Sequence, residues 1–246
     1  MNITVIHGTY HKGSTAFCAE QIIQHLDDKI HPNVTEFLAP VACPSMCVGC
    51  FKCIIESEQN CPHYKQTAVL KQAILDADLV ILTSPVYVFD VSGSMKNLLD
   101  HFGYQWLSHR PEQSMFNKLG LSVVTAAGAG LNPTTKTLKT NLRWWGMKKV
   151  FSFKQAVMSK SVQELSPKVI RKIDKQAKML AKRISKAYLN PESKPELLTR
   201  FYFGIMRMGK KGHPEWNAID HAYWVKQGYF NRKPWEMDMS HGTMDA

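Results

Sequence analysis

The chain opens with an apolar stretch, a polar stretch and then apolar residues at helical spacing. Residues 3–6 favour a strand, and residues 8–14 are polar and contain two glycines. The following apolar positions are three or four residues apart, at Ala19, Ile22, Ile23 and Leu26. This pattern predicts a strand, a loop and a helix whose first turn is capped by the hydroxyl of Ser14 or Thr15.

The same alternation continues to about residue 190. Further strands are predicted at residues 33–38, 79–82, 119–124 and 149–157. The first of these is polar enough to lie near a sheet edge. Helices are predicted at residues 64–77, from Gly93, from Pro133 and at 168–189, and the first of them has an inner face formed by Val69, Leu70, Ala73 and Ile74. Strands that alternate with helices form a parallel, doubly wound sheet with right-handed crossovers.

Three loops leave the first, third and fourth strands of this sheet, where ligands bind in such folds. They cover residues 8–15, 84–93 and 125–130, and all are rich in small residues and hydroxyls. The first loop precedes a helix start, whose unpaired N–H groups and dipole suit a phosphate. Its glycine spacing resembles a nucleoside-triphosphate loop, but the required lysine is missing, so a monophosphate such as that of FMN is favoured. For the first loop alone, an ordinary βα turn is an equal alternative.

The other two loops carry groups suited to a flat heteroaromatic ring. Tyr87 and Phe89 offer ring faces, while Gly128 and Gly130 allow the backbone to approach a ring edge closely. Either aromatic side chain taken singly is also explained as a cover for the core. Three loops of this chemistry on one edge predict a ring-binding site.

Five of the six cysteines lie between residues 43 and 61. The spacing of Cys47, Cys50, Cys53 and Cys61 is typical of a cubane iron–sulfur cluster. A zinc site and metal-free thiols are the alternatives, and spacing alone does not choose between them. Cys18 lies on the first helix and is expected in the core.

Composition narrows the class of protein. The 246 residues have 44% hydrophobic content, enough for one α/β domain with an appendage. The net charge is +11, and residues 168–186 contribute eight Lys and Arg around an apolar helical stripe. We interpret that stretch as a solvated helix and expect no nucleic-acid binding, because no recognition motif accompanies it. With no long apolar run and no leader-like start, we expect a cytoplasmic protein with no membrane contact.

The end of the chain differs from the rest. Residues 191–246 are rich in aromatic residues, with helical spacing at 197–206 and 220–226. We expect an arm that packs on the domain formed by residues 1–190 or on a partner subunit. Residues 103–118 form a long connection, in which Tyr104 and Trp106 are candidates to cover the ring and select a substrate. Structural filler is the alternative for that connection.

The segments GTYHKGST, TSPVYVFDVSGSMKNLLDHF and TAAGAG resemble the three flavin loops of the flavodoxin-like NAD(P)H-dependent FMN reductase family, over about the first 190 residues. The resemblance implies a five-stranded sheet of order 2-1-3-4-5, FMN as cofactor, NAD(P)H as co-substrate and a homodimer. It implies hydride transfer to a small-molecule acceptor such as a quinone, a nitro or azo compound, or free flavin. The chemistry belongs to the flavin, so no catalytic residue is nominated.

By the same resemblance, the phosphate loop contains Thr9, His11, Lys12, Ser14 and Thr15. The ring is lined by Pro85, Val86, Tyr87 and Val88, and its other edge by Thr125, Ala126, Ala127, Gly128 and Gly130. The family often has Ser-x-Arg where this chain has Thr9-Tyr10-His11, which leaves Lys12, His11 or backbone N–H groups to meet the phosphate. The cysteine spacing resembles the iron–sulfur flavoprotein branch of the fold and also relatives without a cluster. An electron-transfer flavoprotein that works between protein partners, with or without a [4Fe–4S] cluster, is therefore the alternative function.

Overall fold

The computed structural model describes residues 1–159, 161–191 and 193–237, and a parallel sheet forms its centre. The strands are β1 (Asn2–His7), β2 (Asn33–Leu38), β3 (Leu79–Pro85), β4 (Leu119–Ala126) and β5 (Lys149–Ala156). Their order in space is β2-β1-β3-β4-β5, and every neighbouring pair is parallel. This order confirms the predicted doubly wound, flavodoxin-like sheet, with β2 at one edge.

Helices connect the strands and extend the chain beyond them. They are α1 (Ser14–Gln24), α2 (Ala39–Ala42), α3 (Lys52–Ile55), α4 (Tyr64–Asp76), α5 (Gly93–His101), α6 (Leu131–Trp144), α7 (Pro167–Tyr188), α8 (Leu197–Gly212) and α9 (Ala218–Lys226). The helices predicted from spacing are all present. The short helices α2 and α3 have no counterpart among the predicted helices, because single helical turns are too short to show a period.

Two layers of helices cover the sheet. On one face, α1 and α7 pack against Ile3, Val5, Ile81 and their neighbours on the strands. On the other face, α4, α5 and α6 pack against the alternate strand residues. The first six residues of β3 are buried because both faces are covered. Val69 corrects the predicted inner face of α4, since 60% of its surface is exposed while Leu70 and Ile74 are buried.

The arm formed by α8 and α9 packs on its own chain. Its aromatic residues form a third cluster with side chains of the 103–118 connection, consisting of Leu107, Phe116, Phe203, Trp224 and Tyr229. The Phe203 ring stacks on Trp224 at 5.1 Å and meets Phe116 edge-on at 5.5 Å. The Trp224 indole N–H also donates to the carbonyl of His109 at 2.7 Å. Residues 192 and 238–246 of the predicted arm lie outside the described residues.

A buried ion pair joins this arm to the chain at Cys53 and Ile54. Asp220 on α9 is fully buried and accepts hydrogen bonds from Arg110 at 2.8 Å and His109 at 2.7 Å. Arg110 also donates to the backbone carbonyls of Cys53 and Ile54. Burial alone would raise the pKa of Asp220, but the surrounding donors and cations lower it overall.

Nowhere in the described ranges does a helix combine the length and apolar character needed to cross a bilayer.

Tight packing against β4 gives the first testable prediction. A Cβ atom at Gly120 would lie 2.5 Å from Sδ of Met147 and 3.3 Å from Cδ1 of Leu142, both fully buried. Because the core has no room to shift, we expect Gly120→Ala to lower the free energy of unfolding by about 1–3 kcal/mol. Urea denaturation followed by circular dichroism measures this.

The matched control is Gly204→Ala, inside α8, where an added Cβ meets nothing within 4 Å. That change removes backbone freedom from the unfolded chain and should stabilise the protein by roughly 0.4–1 kcal/mol. Equal stability of the two variants would contradict the packing argument.

Candidate functional site

A cavity lies at the carboxyl edge of the sheet, where β1, β3 and β4 end. All three predicted loops line it. Ten of the predicted cofactor residues face it, namely Thr9, His11, Ser14, Thr15, Pro85, Val86, Tyr87, Thr125, Ala126 and Ala127. Four others, Lys12, Val88, Gly128 and Gly130, do not line the cavity. Six lining residues were missed from the sequence, namely His7, Gly13, Ala16, Thr83, Val157 and Ser159.

Hydroxyl groups fasten the three loops to one another. The Ser92 hydroxyl caps α5 and donates to the carbonyl of Gly8 at 2.5 Å, which ties the second loop to the first. Thr15 and Thr125 share a hydrogen bond of 2.5 Å, which ties the first loop to the third. The Val86 N–H donates to the Thr125 carbonyl at 2.8 Å. The cavity is therefore bounded by loops that hold each other in place.

The start of α1 differs from the prediction. The capping residue is Gly13, and no side chain caps the helix. The Thr15 hydroxyl, one of the two predicted caps, is engaged with Thr125 instead. The first-turn N–H groups of α1 consequently remain directed at the cavity side without a side-chain partner, which suits an anionic ligand.

Lys12 does not supply a free charge to the cavity. Its ammonium group forms an ion pair with Glu36 on β2, and the same carboxylate lies 3.3 Å from Nε2 of His7. Burial would raise the pKa of Glu36, but hydrogen bonds from Lys12 and His7 lower it. His11 faces the cavity, so the first loop meets a ligand through His11, hydroxyls and backbone N–H groups.

The second loop contains a tight hairpin with strained backbone. Tyr87 and Asp90 exchange both backbone hydrogen bonds, at 2.9 and 3.0 Å. The two residues between them, Val88 and Phe89, have φ angles of 50° and 63°, in the left-handed region that disfavours such side chains. Val88 is 98% exposed, so it points away from the cavity that it was predicted to line. Strain of this kind is a common feature of ligand-binding segments.

The two substrate candidates have different environments. Tyr104 is 3% exposed and stacks beside Phe102 in the core, so it offers no surface to a substrate. Trp106 is half-buried, and its ring stacks on Trp144 at 5.3 Å. Neither residue lines the cavity. Aromatic content in the connection therefore reflects its packing against α6 and the arm.

The predicted metal ligands lie around a second cavity. The cysteine segment, residues 43–63, precedes α4 in the chain. Cys47, Cys50, Cys53 and Cys61 all line this cavity with His63 and His101. Its volume is about 20 Å³, which is room for about one water-sized sphere. A [4Fe–4S] cubane needs four thiolates, and the four predicted cysteines are brought to this one cavity. The cluster stays a prediction.

Asn97 on α5, which sequence reasoning missed, organises the cysteine segment. Its side-chain amide donates to the carbonyls of Cys43 at 3.0 Å and Ser45 at 2.9 Å, and its Oδ1 accepts from the N–H of Cys47 at 2.8 Å. These partners lie about 50 residues away in the chain. No local pattern reveals such contacts. The predicted core position of Cys18 is confirmed, and burial raises its pKa to about 12.

The sequence model of the family described as NADPH-dependent FMN reductase matches residues 1–161. An iron-sulfur flavoprotein from Archaeoglobus fulgidus is 36% identical over 84 residues, which are 34% of this chain and 36% of that protein. The aligned part thus spans about a third of that curated relative.

Solved structures of similar architecture include flavin enzymes. An NADH:FMN oxidoreductase in its apo form has a TM-score of 0.52 at 19% identity, over 74% of this chain and 89% of that chain. An FMN-dependent NADH-azoreductase from Bacillus anthracis in complex with FMN has a TM-score of 0.54 at 11% identity, over 75% and 100%. At these identities the likeness shows the fold.

His7 at the floor of the cavity gives a prediction of pH dependence. Burial lowers its pKa from the usual 6.5, against opposing contributions from Glu36. As the pH falls below 6.5, the unfolded chain takes up a proton at this ring before the folded chain does, so stability falls until the lowered pKa is reached. We expect His7→Asn to flatten the dependence of the free energy of unfolding on pH between about pH 7 and about pH 5.

Urea denaturation at a series of pH values measures that slope. His31→Asn is the control, because His31 is exposed. A slope that His7→Asn and His31→Asn change equally would contradict the role of burial.

Proposed function

Because the chain belongs to the NADPH-dependent FMN reductase family, we propose that it is an FMN-dependent oxidoreductase that takes a hydride from NAD(P)H and passes electrons to a small-molecule acceptor. The observation that carries this proposal is the cavity enclosed by three mutually fastened loops at the carboxyl edge of the sheet. Bound FMN supplies the hydride chemistry, and the protein supplies binding and orientation.

The chemistry of the cavity wall fits FMN. The uncapped start of α1, with Ser14 and Thr9 beside it, suits the phosphate. Pro85, Val86 and Tyr87 offer an apolar wall to the ring, and Tyr87 retains 48% exposure. Ala126 and Ala127 are small enough for a ring edge to approach the backbone of the third loop. These residues are our proposed FMN-binding set, together with Thr15, Thr125 and His11.

The class of electron acceptor is proposed from the side chains near the mouth of the cavity. Tyr87 lines the cavity and is 48% exposed, and Phe89 of the same hairpin is 66% exposed. Such a rim favours a flat, largely apolar molecule, so we propose a quinone, a nitro or azo compound, or free flavin as acceptor. The exposed hairpin also supports a homodimer as a proposal, because apolar side chains of this size are commonly covered by a partner.

A cytoplasmic location is part of the same proposal. All six cysteines are free, and five lie close together in the chain. Free thiols at this density fit a reducing compartment.

An electron-transfer flavoprotein is a second candidate function. The specific observation in its favour is that four cysteines line one cavity, in a chain that shares 84 aligned residues with an iron-sulfur flavoprotein. FMN-loaded protein that is reduced only by a ferredoxin-like protein, and not by NAD(P)H, would favour this candidate.

The direct test uses the full chain purified with added FMN. We expect about one bound flavin per chain and bleaching of its absorbance by NADPH or NADH under anaerobic conditions. Addition of a quinone should then restore the absorbance. A colourless protein, or bound flavin that neither nucleotide reduces, would overturn the proposal.

A pair of glycine variants tests whether the fastened loops form the binding site. Gly130 has a φ of 88°, and an added Cβ would lie 2.5 Å from Cγ1 of Val86 in the second loop. We expect Gly130→Ala to separate the second and third loops and to raise the Kd for FMN about tenfold, a loss of about 1.4 kcal/mol. Fluorescence titration of the flavin-free protein measures this.

Gly128→Ala is the matched control, since Gly128 lies in the same loop and an added Cβ meets nothing within 4 Å. It should bind FMN like the unchanged protein. Equal affinities for all three proteins would place FMN away from these loops.

A further inference from the structure

The second cavity brings imidazoles as well as thiols together. In the part of the chain that the structure describes, one group of three potential metal ligands lies within the reach of a single ion: Cys61, His63 and His101. Their ligand atoms are all within 4.8 Å of one another. His101 is the last residue of α5, and the other two precede α4. The group therefore joins the cysteine segment to α5.

The distance between the two rings is close to that of a metal site. Nδ1 of His63 lies 3.1 Å from Nε2 of His101. Two nitrogens bound tetrahedrally to zinc at about 2.0–2.1 Å are about 3.3 Å apart. A shift of a few tenths of an ångström would admit an ion between the rings. A direct hydrogen bond between the rings explains the same distance, so the distance alone does not distinguish a metal site from a hydrogen bond.

The orientation of the His101 ring favours a metal site. Its Nδ1 lies 2.9 Å from the backbone carbonyl of Asn97. A carbonyl only accepts, so Nδ1 carries the hydrogen and Nε2 of the neutral ring presents its lone pair to the cavity. Metal-binding histidines are commonly held by this type of bond to a carbonyl. His101 is 3% exposed, which keeps the ring fixed.

The size of the cavity also favours a metal ion. About 20 Å³ accommodates a single ion. A mixed thiolate and imidazole ligand set suits zinc among the common divalent ions. We propose that Cys61, His63 and His101 bind one Zn²⁺ ion, which fastens the cysteine segment to the end of α5.

Binding of the ion releases one proton from the protein. The Cys61 thiol releases its proton to solvent when the thiolate binds the ion, and His63 binds through Nδ1 with its hydrogen on Nε2. The ion takes a water molecule as its fourth ligand. No oxidation or reduction is involved, and the site is separate from the FMN proposal.

The test is a titration of the full-length, chelator-treated protein with Co²⁺ and Zn²⁺. Tetrahedral Co²⁺ with a thiolate ligand gives visible d–d bands and a thiolate charge-transfer band. We expect both bands, displacement of Co²⁺ by about one Zn²⁺ per chain, and a rise in Tm when Zn²⁺ is added. Absence of thiolate charge transfer would overturn the proposal.

Variants separate this site from a four-cysteine site. Cys61→Ser, His63→Gln and His101→Gln should each weaken Co²⁺ binding at least tenfold. Cys47→Ser and Cys50→Ser remove exposed thiols of the same segment and should leave binding within about twofold. The opposite pattern, with loss in Cys47→Ser and Cys50→Ser and none in the histidine variants, would overturn the proposal.

Two further measurements distinguish the single-ion site from misfolding and from an iron–sulfur cluster. His101→Gln changes a buried residue, so His63→Gln, at a half-buried position, decides the question if His101→Gln does not fold. Iron and acid-labile sulfide are assayed in protein purified anaerobically without chelator. About four of each per chain, lost in Cys47→Ser, would identify a cluster and contradict the single-ion site.

Discussion

Hydrogen bonds between loops are the constraint on which the proposed FMN-binding site depends. A parallel sheet brings the ends of β1, β3 and β4 to one edge, but it does not fix the loops that follow. Here the Ser92 hydroxyl reaches the carbonyl of Gly8, and Thr15 reaches Thr125, each at 2.5 Å. Since every loop is bonded to another, the cavity keeps its shape without relying on the ligand. This also explains why serine and threonine are concentrated in these loops: their hydroxyls join loops as well as facing a ligand.

Features that depend on residues close together in the chain could be predicted from the sequence. Features that depend on distant partners could not. Strands and helices were predictable because burial marks neighbouring residues: β3, covered on both faces, is a continuous apolar run, and α6, covered on one face, has apolar residues at helical spacing. The loops were predictable because each directly follows a strand. Lys12 does not line the cavity, and its partner, Glu36, lies on β2, a pairing that no local pattern shows. Val88 is 98% exposed at the turn of the hairpin, in a left-handed conformation that its residue type disfavours and that no pattern in the sequence shows.

Buried polar residues were the least visible feature of the sequence. His7 and Thr83 share a hydrogen bond of 3.1 Å across β1 and β3, within strands that otherwise appear apolar. Asn97 lies on the inner side of α5, where an amide would be costly unless it were paired, and three backbone groups of the cysteine segment pair with it. In each case the polar residue is tolerated because of a distant partner. Such positions therefore indicate where separate parts of the chain must meet.

The arm and the cysteine segment are also linked by buried polar contacts between distant residues. The buried Arg110 guanidinium is held by Asp220 of α9 and by the carbonyls of Cys53 and Ile54, so its position depends on both. Removing one member of such a pair typically costs about 3–5 kcal/mol, because the other charge is left buried. Asn217, the cap of α9, donates to the same Ile54 carbonyl at 3.2 Å. The cysteine segment is thus fixed by α5 on one side and by the arm on the other, and the spacing of its thiols and imidazoles depends on residues more than 150 positions away in the chain.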